Sequence, residues 1–122
     1  MSGAAQPRAG RTFEYKVRDD LAANGYWVMR SPASKSPVDM VAVKPGQVLF
    51  VQAKLNGRLD PEEWNVLFEL GRQFGARPIM ARRAFSRRFG VDYVELTGVK
   101  DGRTPPVYRQ PFVLDEVEAS RG

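Results

Sequence analysis

The chain contains neither cysteine nor histidine. Without cysteine there are no disulfides, thiolate nucleophiles or Cys-ligated zinc sites. Without histidine there is no Ser-His-Asp hydrolase, no His-metal nuclease and no His-dependent phosphodiesterase. Long apolar runs are missing too. None approaches the ~20 residues that cross a bilayer, and residues 1–10 lack the apolar stretch of a signal peptide. The expected location is therefore the cytoplasm, that of the host if the source is viral, with no membrane partner. What remains for catalysis is carboxylates, amides, hydroxyls and lysine. That donor set favours a hard cation, above all Mg²⁺, with Mn²⁺ as its substitute.

The 122 residues suit one domain, and 43% hydrophobic with 27% charged residues is the composition of a globular chain. Residues 1–10 read as a flexible basic arm and 11–122 as a single domain. The formal net charge of +5 points to a polyanionic partner, and its distribution sharpens the point. Residues 72–88 carry six arginines and no acid, whereas 59–71 carry four acids and no base. A segregated basic stretch suits a row of phosphates.

Phe13, Val17 and Leu21 recur at i, i+4 and i+8, which predicts a helix stopped by Asn24-Gly25. Tyr26 to Met29 is rich in strand formers, and 31–37 reads as a loop. Strands are expected over 38–43 and 48–54, joined by the turn dipeptide Pro45-Gly46. Asp60-Pro61-Glu62-Glu63 is a strong helix start, with Asp as cap, Pro first and Glu closing a capping box. Trp64, Leu67, Phe68, Gly71 and Phe74 then mark one helix face. The apolar run 78–81 should form a strand parallel to 48–54 after a right-handed crossover. Another strand is expected over 91–96, a loop over 98–106, and a short element of unassigned type over 112–117.

Asp39 opens one hairpin strand, and Gln52, Ala53 and Lys54 close its neighbour. In an antiparallel pair those two ends lie side by side, so the groups should meet. A metal fits between the Asp39 carboxylate, the Gln52 amide oxygen and the Ala53 carbonyl, with Lys54 facing the same phosphate. Hydrolysis of a phosphodiester needs an activated water, neutralised phosphoryl charge and help for the leaving oxygen, and this donor set can meet those needs. Glu14, arriving from the first helix, would hold a second metal or a water. As a plain surface residue it would pair with Arg18 at i+4 instead. Trp27 and Trp64 read as core or dimer-interface residues.

Over residues 10–83 the sequence resembles the PD-(D/E)xK nuclease superfamily, and within it the archaeal-type Holliday-junction resolvases. The resemblance rests on Gly10-Arg11-Thr12-Phe13-Glu14, Trp27-Val28-Met29-Arg30-Ser31, Val38-Asp39-Met40-Val41-Ala42, Phe50-Val51-Gln52-Ala53-Lys54 and Pro78-Ile79-Met80-Ala81. It implies an α/β, restriction-endonuclease-like αβββαβ core, with a mixed central sheet flanked by helices. It further implies metal ligation by Glu14 and Asp39, a catalytic Lys54, and a serine near the scissile phosphate, with Ser34 the first choice and Ser36 the second. The implied activity is paired, symmetric nicking of four-way DNA junctions by a homodimer. A second copy would also cover apolar residues of the last third that one small core leaves over. Arg8, Arg11, Arg30, Lys35, Arg58, Arg82, Arg83, Arg87 and Arg88 are the expected DNA contacts.

Gln52 departs from the acid usual at its position. It keeps an oxygen ligand but removes one negative charge, which weakens Mg²⁺ binding. Mrr-type restriction nucleases are similar here, with a Gln-x-Lys version of the motif. Three origins fit: an active natural variant, a loss of catalysis, or an introduced Glu-to-Gln change. Three functions follow: a junction endonuclease, an Mrr-like, restriction-type or flap nuclease of the same fold, and a catalytically silent DNA-binding protein.

Overall fold

The computed structural model describes residues 5–32, 36–84, 90–100 and 109–114, and of residues 5–9 only the backbone. Ser34, Lys35, Arg87 and Arg88 lie outside the described residues, as does the side chain of Arg8. The element order is α1 (Ala5–Ala23), β1 (Trp27–Arg30), β2 (Met40–Lys44), β3 (Gln47–Ala53), α2 (Pro61–Phe74), β4 (Arg77–Arg83), β5 (Val91–Leu96) and β6 (Arg109–Phe112). The strands form one sheet in the order β1-β2-β3-β4-β5-β6. Among the described strands only the β3–β4 pair is parallel, as the crossover through α2 requires; the others are antiparallel.

The period of two sorts each central strand into two faces. Leu49 and Val51, with Ile79 and Ala81, bury against Phe13, Val17 and Leu21 of α1. Met80, Val94 and Leu96 pack on the other face with Trp64 and Leu67 of α2, and Phe50 joins them. Each fully buried large side chain contributes roughly 1.5–3 kcal/mol. Removing either stripe would strip one face of the sheet.

Local chemistry sets the element ends. Asp60 accepts the Glu63 N–H at 2.7 Å and Glu63 accepts the Asp60 N–H at 3.3 Å, closing the expected capping box. Such a cap is worth about 1 kcal/mol. Pro45-Gly46 turns the β2–β3 hairpin with Lys44 opposite Gln47. Gly46 has φ +79°, a conformation that costs a side-chain-bearing residue ~1–2 kcal/mol.

Two expectations are corrected. The helix begins at Ala5, so residues 5–10 are helical where an arm was expected. Ala, Gln and Arg are good helix formers, and Pro7 falls in the first turn, where its missing N–H costs no hydrogen bond. The unassigned terminal element is β6, which begins at Arg109, three residues earlier than expected. It tolerates Pro111 because it is an edge strand.

Candidate active site

Asp39 sits one residue before β2. Its N–H donates to the Val51 carbonyl, and its own carbonyl accepts the Ser31 N–H, both at 2.8 Å. Beyond the last β2–β3 pair, Met40 with Val51, the ladder opens. There the Asp39 carboxylate takes the place of a backbone acceptor and receives the Ala53 N–H at 2.8 Å. Burial pushes the Asp39 carboxyl up from 3.8 to about 6, and the Glu14 charge adds to the rise. The Ala53 hydrogen bond, Lys54 and Arg30 pull it back. Glu14 from α1, Arg30 from β1 and Lys54 after β3 thus all act on one carboxyl.

Glu14 does not pair with Arg18, which bonds Asp19 instead at 2.9 Å. It accepts from Arg30 at 3.1 Å, and the Arg30 guanidinium lies 4.6 Å from the Tyr15 ring centre. Arg30, expected as a DNA contact, is engaged in holding Glu14. Lys54 donates to Glu63 at 2.9 Å. Gln52 is the one buried polar residue among those described, 8% exposed. Its amide oxygen has no protein partner, and a buried acceptor in that state costs about 1–3 kcal/mol.

Among the described residues no three acidic side chains gather into a ready cation cage. The donors expected from the sequence, two carboxylates, an amide oxygen and the Ala53 carbonyl, make an all-oxygen set of the kind that suits a hard divalent cation. The unpartnered Gln52 oxygen is the observation that fits such an ion, because it is an acceptor buried without a donor.

Ser36, Pro37, Gln52, Lys54, Glu62, Glu63 and Val66 line a cleft of about 370 Å³. Ser36 is fixed there by bonding the Val38 backbone. Next to it, Arg58, Arg82, Lys100 and Arg109 line a hollow of about 750 Å³, with Asp60 its one acid. Lys100 donates to the Leu59 carbonyl at 2.9 Å and lies 5.1 Å from the Trp64 ring centre. Sequence reasoning missed Lys100, Arg109 and Glu63. Only for Glu63 was there a signal, since the capping box starts six residues after Lys54.

Arg83 ends β4 beside this site, because Ala81 faces Ala53 across the parallel pair. Arg77 lies at the other end of β4, about 20 Å away at ~3.3 Å per residue. Arg72 is occupied by Glu69 at 2.7 Å, and Arg77 stacks over Phe112. The described arginines of this stretch are therefore divided between the two ends of β4. Arg11 and Arg58 are exposed.

A mixed sheet between two helices, with acidic groups and a lysine meeting where β2 and β3 part, is the restriction-endonuclease-like arrangement of the PD-(D/E)xK class. The solved structure of Archaeoglobus fulgidus Hjc, a Holliday junction resolvase, has this fold. It matches with TM-score 0.65 and 20% identity, over 91% of this chain and 96% of its own. The crossover junction endodeoxyribonuclease Hjc of Methanocaldococcus jannaschii is 31% identical over 78 residues, 61% of this chain. The aligned part spans 58% of that relative's length. The chain belongs to the archaeal Holliday junction resolvase (Hjc) family, whose description matches residues 5–101.

Proposed function

We propose that this chain is a divalent-metal-dependent endonuclease that makes paired nicks in four-way DNA junctions as a homodimer. The observation that carries the reading is the convergence of Glu14, Lys54 and Arg30 on the raised Asp39 carboxyl, beside the unpartnered Gln52 oxygen. Family membership and the Hjc relatives support the choice of junction DNA.

Glu14, Asp39, the Gln52 amide oxygen and the Ala53 carbonyl would hold Mg²⁺, or Mn²⁺ in its place. When bound, the cation supplies charge neutralisation at the phosphoryl oxygens and a more acidic water. The Asp39 carboxylate oxygen that does not accept from Ala53 would be the one offered to the cation. Arg30 fixes Glu14 against rotation. Lys54 orients the attacking water and offsets charge that grows on the phosphoryl oxygens. Ser36 forms part of the cleft wall, and Ser34 is the serine assigned by the family resemblance to the scissile phosphate. Arg58, Arg82, Lys100 and Arg109 carry the flanking phosphates, with Arg8, Arg11, Lys35, Arg83, Arg87 and Arg88 extending the track.

The second copy covers the surface around Trp27, one of the two tryptophans the sequence offers for it, rather than the apolar residues of the last third. Val91, Tyr93, Val94, Leu96, Phe112 and Leu114 of the last third are absorbed by the core. Trp27 and Phe74 are about two-thirds exposed, at 64% and 65%, and Met29 is half exposed. Trp27 and Met29 stand opposite Val43 and Val41, on the face where Phe50 meets Phe74 at 6.5 Å. An apolar face of this kind suits a two-fold partner. No helix among the described residues is long and apolar enough to cross a membrane, and the proposed place of action is the cytoplasm.

The test incubates the protein and Mg²⁺ or Mn²⁺ with a labelled four-way junction, a flap and a linear duplex of matched sequence. Paired nicks confined to the junction are expected. Equal cutting of duplex or flap would point to an Mrr-like, restriction-type or flap nuclease. Retarded but uncut junction would mark Gln52 as the trace of lost catalysis. Sedimentation showing only monomer at micromolar concentration would remove the dimer.

A further inference from the structure

We propose that Glu63, from the first turn of α2, gives the cation pocket the negative charge that Gln52 withholds and positions Lys54 beside it. The inference rests on the metal-dependent reading above. Glu63 does two things with two oxygens. One accepts the Asp60 N–H in the capping box, and the other accepts the Lys54 ammonium at 2.9 Å. Capping does not need the second oxygen, because glutamine at the same place closes the box equally well. The charge is therefore not needed to close the box, and besides favouring the helix N-terminus it lies against a group of the site.

Charge bookkeeping shows why the site needs it. The carboxylates of Glu14 and Asp39 face the cations of Arg30 and Lys54, which leaves the group neutral without Glu63. A neutral pocket attracts a divalent cation weakly. Glu63 adds a negative charge to that balance, with Glu62 on the same cleft wall, and does so by pairing with Lys54, the cation that follows β3. Gln52, Lys54 and Glu63 line the same cleft, so the strand's missing charge and the helix's extra one lie around one space. An acid at 52 would supply from the strand the same charge that Glu63 supplies from the helix.

Mn²⁺ binding to the full chain, read by the free-ion electron spin resonance signal, separates the possibilities. Glu63→Gln should weaken binding about five- to tenfold, the effect of one charge a few ångströms away in a partly solvated site. Its unfolding midpoint should fall only slightly, far less than the affinity, since the capping box is kept and the ion pair and first-turn charge that are lost are partly exposed. Gln52→Glu should bind more tightly than the parent, and Gln52→Glu combined with Glu63→Gln should return close to it. Parental affinity in Glu63→Gln would overturn the proposal. So would a double variant as weak as Glu63→Gln, or an affinity loss matched by a fall in unfolding midpoint. Asp39→Asn is the control for the pocket itself. If it leaves Mn²⁺ bound, the metal-site reading fails along with this one, whereas lost binding in Asp39→Asn with parental Glu63→Gln overturns the role of Glu63 alone.

Discussion

At its start β3 leaves a two-residue turn with Lys44 and Gln47 in register, and the polar groups around it are paired within the protein. Tyr26 donates to Gln47, and Lys44 donates to the Asn24 carbonyl at 3.0 Å. At its finish the β2 ladder gives way to a side chain, an amide oxygen lies buried without a donor, and a carboxyl is held up near 6. The first end spends its polar groups on holding the fold. The second leaves them unspent, and unsatisfied buried groups with shifted titration mark where a ligand is meant to finish the structure.

The largest expected effect of breaking this contrast is on cleavage. Asp39→Ala, Glu14→Ala or Lys54→Ala should slow single-turnover cutting of a four-way junction by about a hundred- to a thousandfold, the scale for losing one charge-stabilising group. Junction retardation in gels should persist. Lys44→Ala, at the opposite end of the same hairpin, should cut at the parental rate. A comparable loss there would erase the distinction between the ends.

Stability should show the reverse bias. A Cβ on Gly71 would meet the Ala76 carbonyl oxygen at 2.7 Å and Pro78 Cδ at 2.9 Å, where α2 turns tightly into β4. Gly71→Ala should therefore cost about 1–3 kcal/mol by overpacking, read as a lower urea midpoint. The fraction that remains folded should cut junctions normally.

What could be read in the sequence follows the same division. The Asp60-Pro61-Glu62-Glu63 start of α2, the Pro45-Gly46 turn and the whole of β5 were legible, because each is decided by residues a few positions apart. The meeting of Asp39 with the end of β3 was legible as well, since hairpin geometry fixes it. Contacts that depend on packing between elements were not. Glu14 finds Arg30 sixteen residues away rather than its helical neighbour, and Lys54 finds Glu63 across the step from strand to helix. β6 is a strand only because β5 pairs with it, and four residues containing a proline carry no period of their own. Lys100 and Arg109 join Arg58 and Arg82 from distant parts of the chain.

The arginines sharpen the contrast on a smaller scale. Arg58 and Arg83 lie at the site end, Arg72 and Arg77 at the other. Arg58→Ala or Arg83→Ala should weaken junction binding a few-fold and lower the slope of log affinity against log salt by about 0.9 for each lost phosphate contact. Arg72→Ala and Arg77→Ala should leave that slope unchanged. Equal slopes for all four would mean that DNA runs along the whole sheet.

The smallest effect is the pH dependence of the metal-free fold. An unfolded Asp39 titrates near its ordinary 3.8 and the folded one near 6, raised mainly by burial. Between those values the folded state binds more protons than the unfolded state, so stability from this group falls as pH rises through the window. The cost is absent below about 3.8 and complete above about 6. Asp39→Asn carries no such charge. Without divalent ions its unfolding midpoint should match the parent at the acid limit and exceed it increasingly up to neutral pH, modestly, because solvent reaches part of the group. Adding Mn²⁺ at neutral pH should raise the parent alone, since a ligand that binds only the folded ionised site stabilises it by mass action. The same midpoint difference at both pH extremes would mean that residue 39 acts through packing. The open end of β3 would then lose its electrostatic distinction from the closed one.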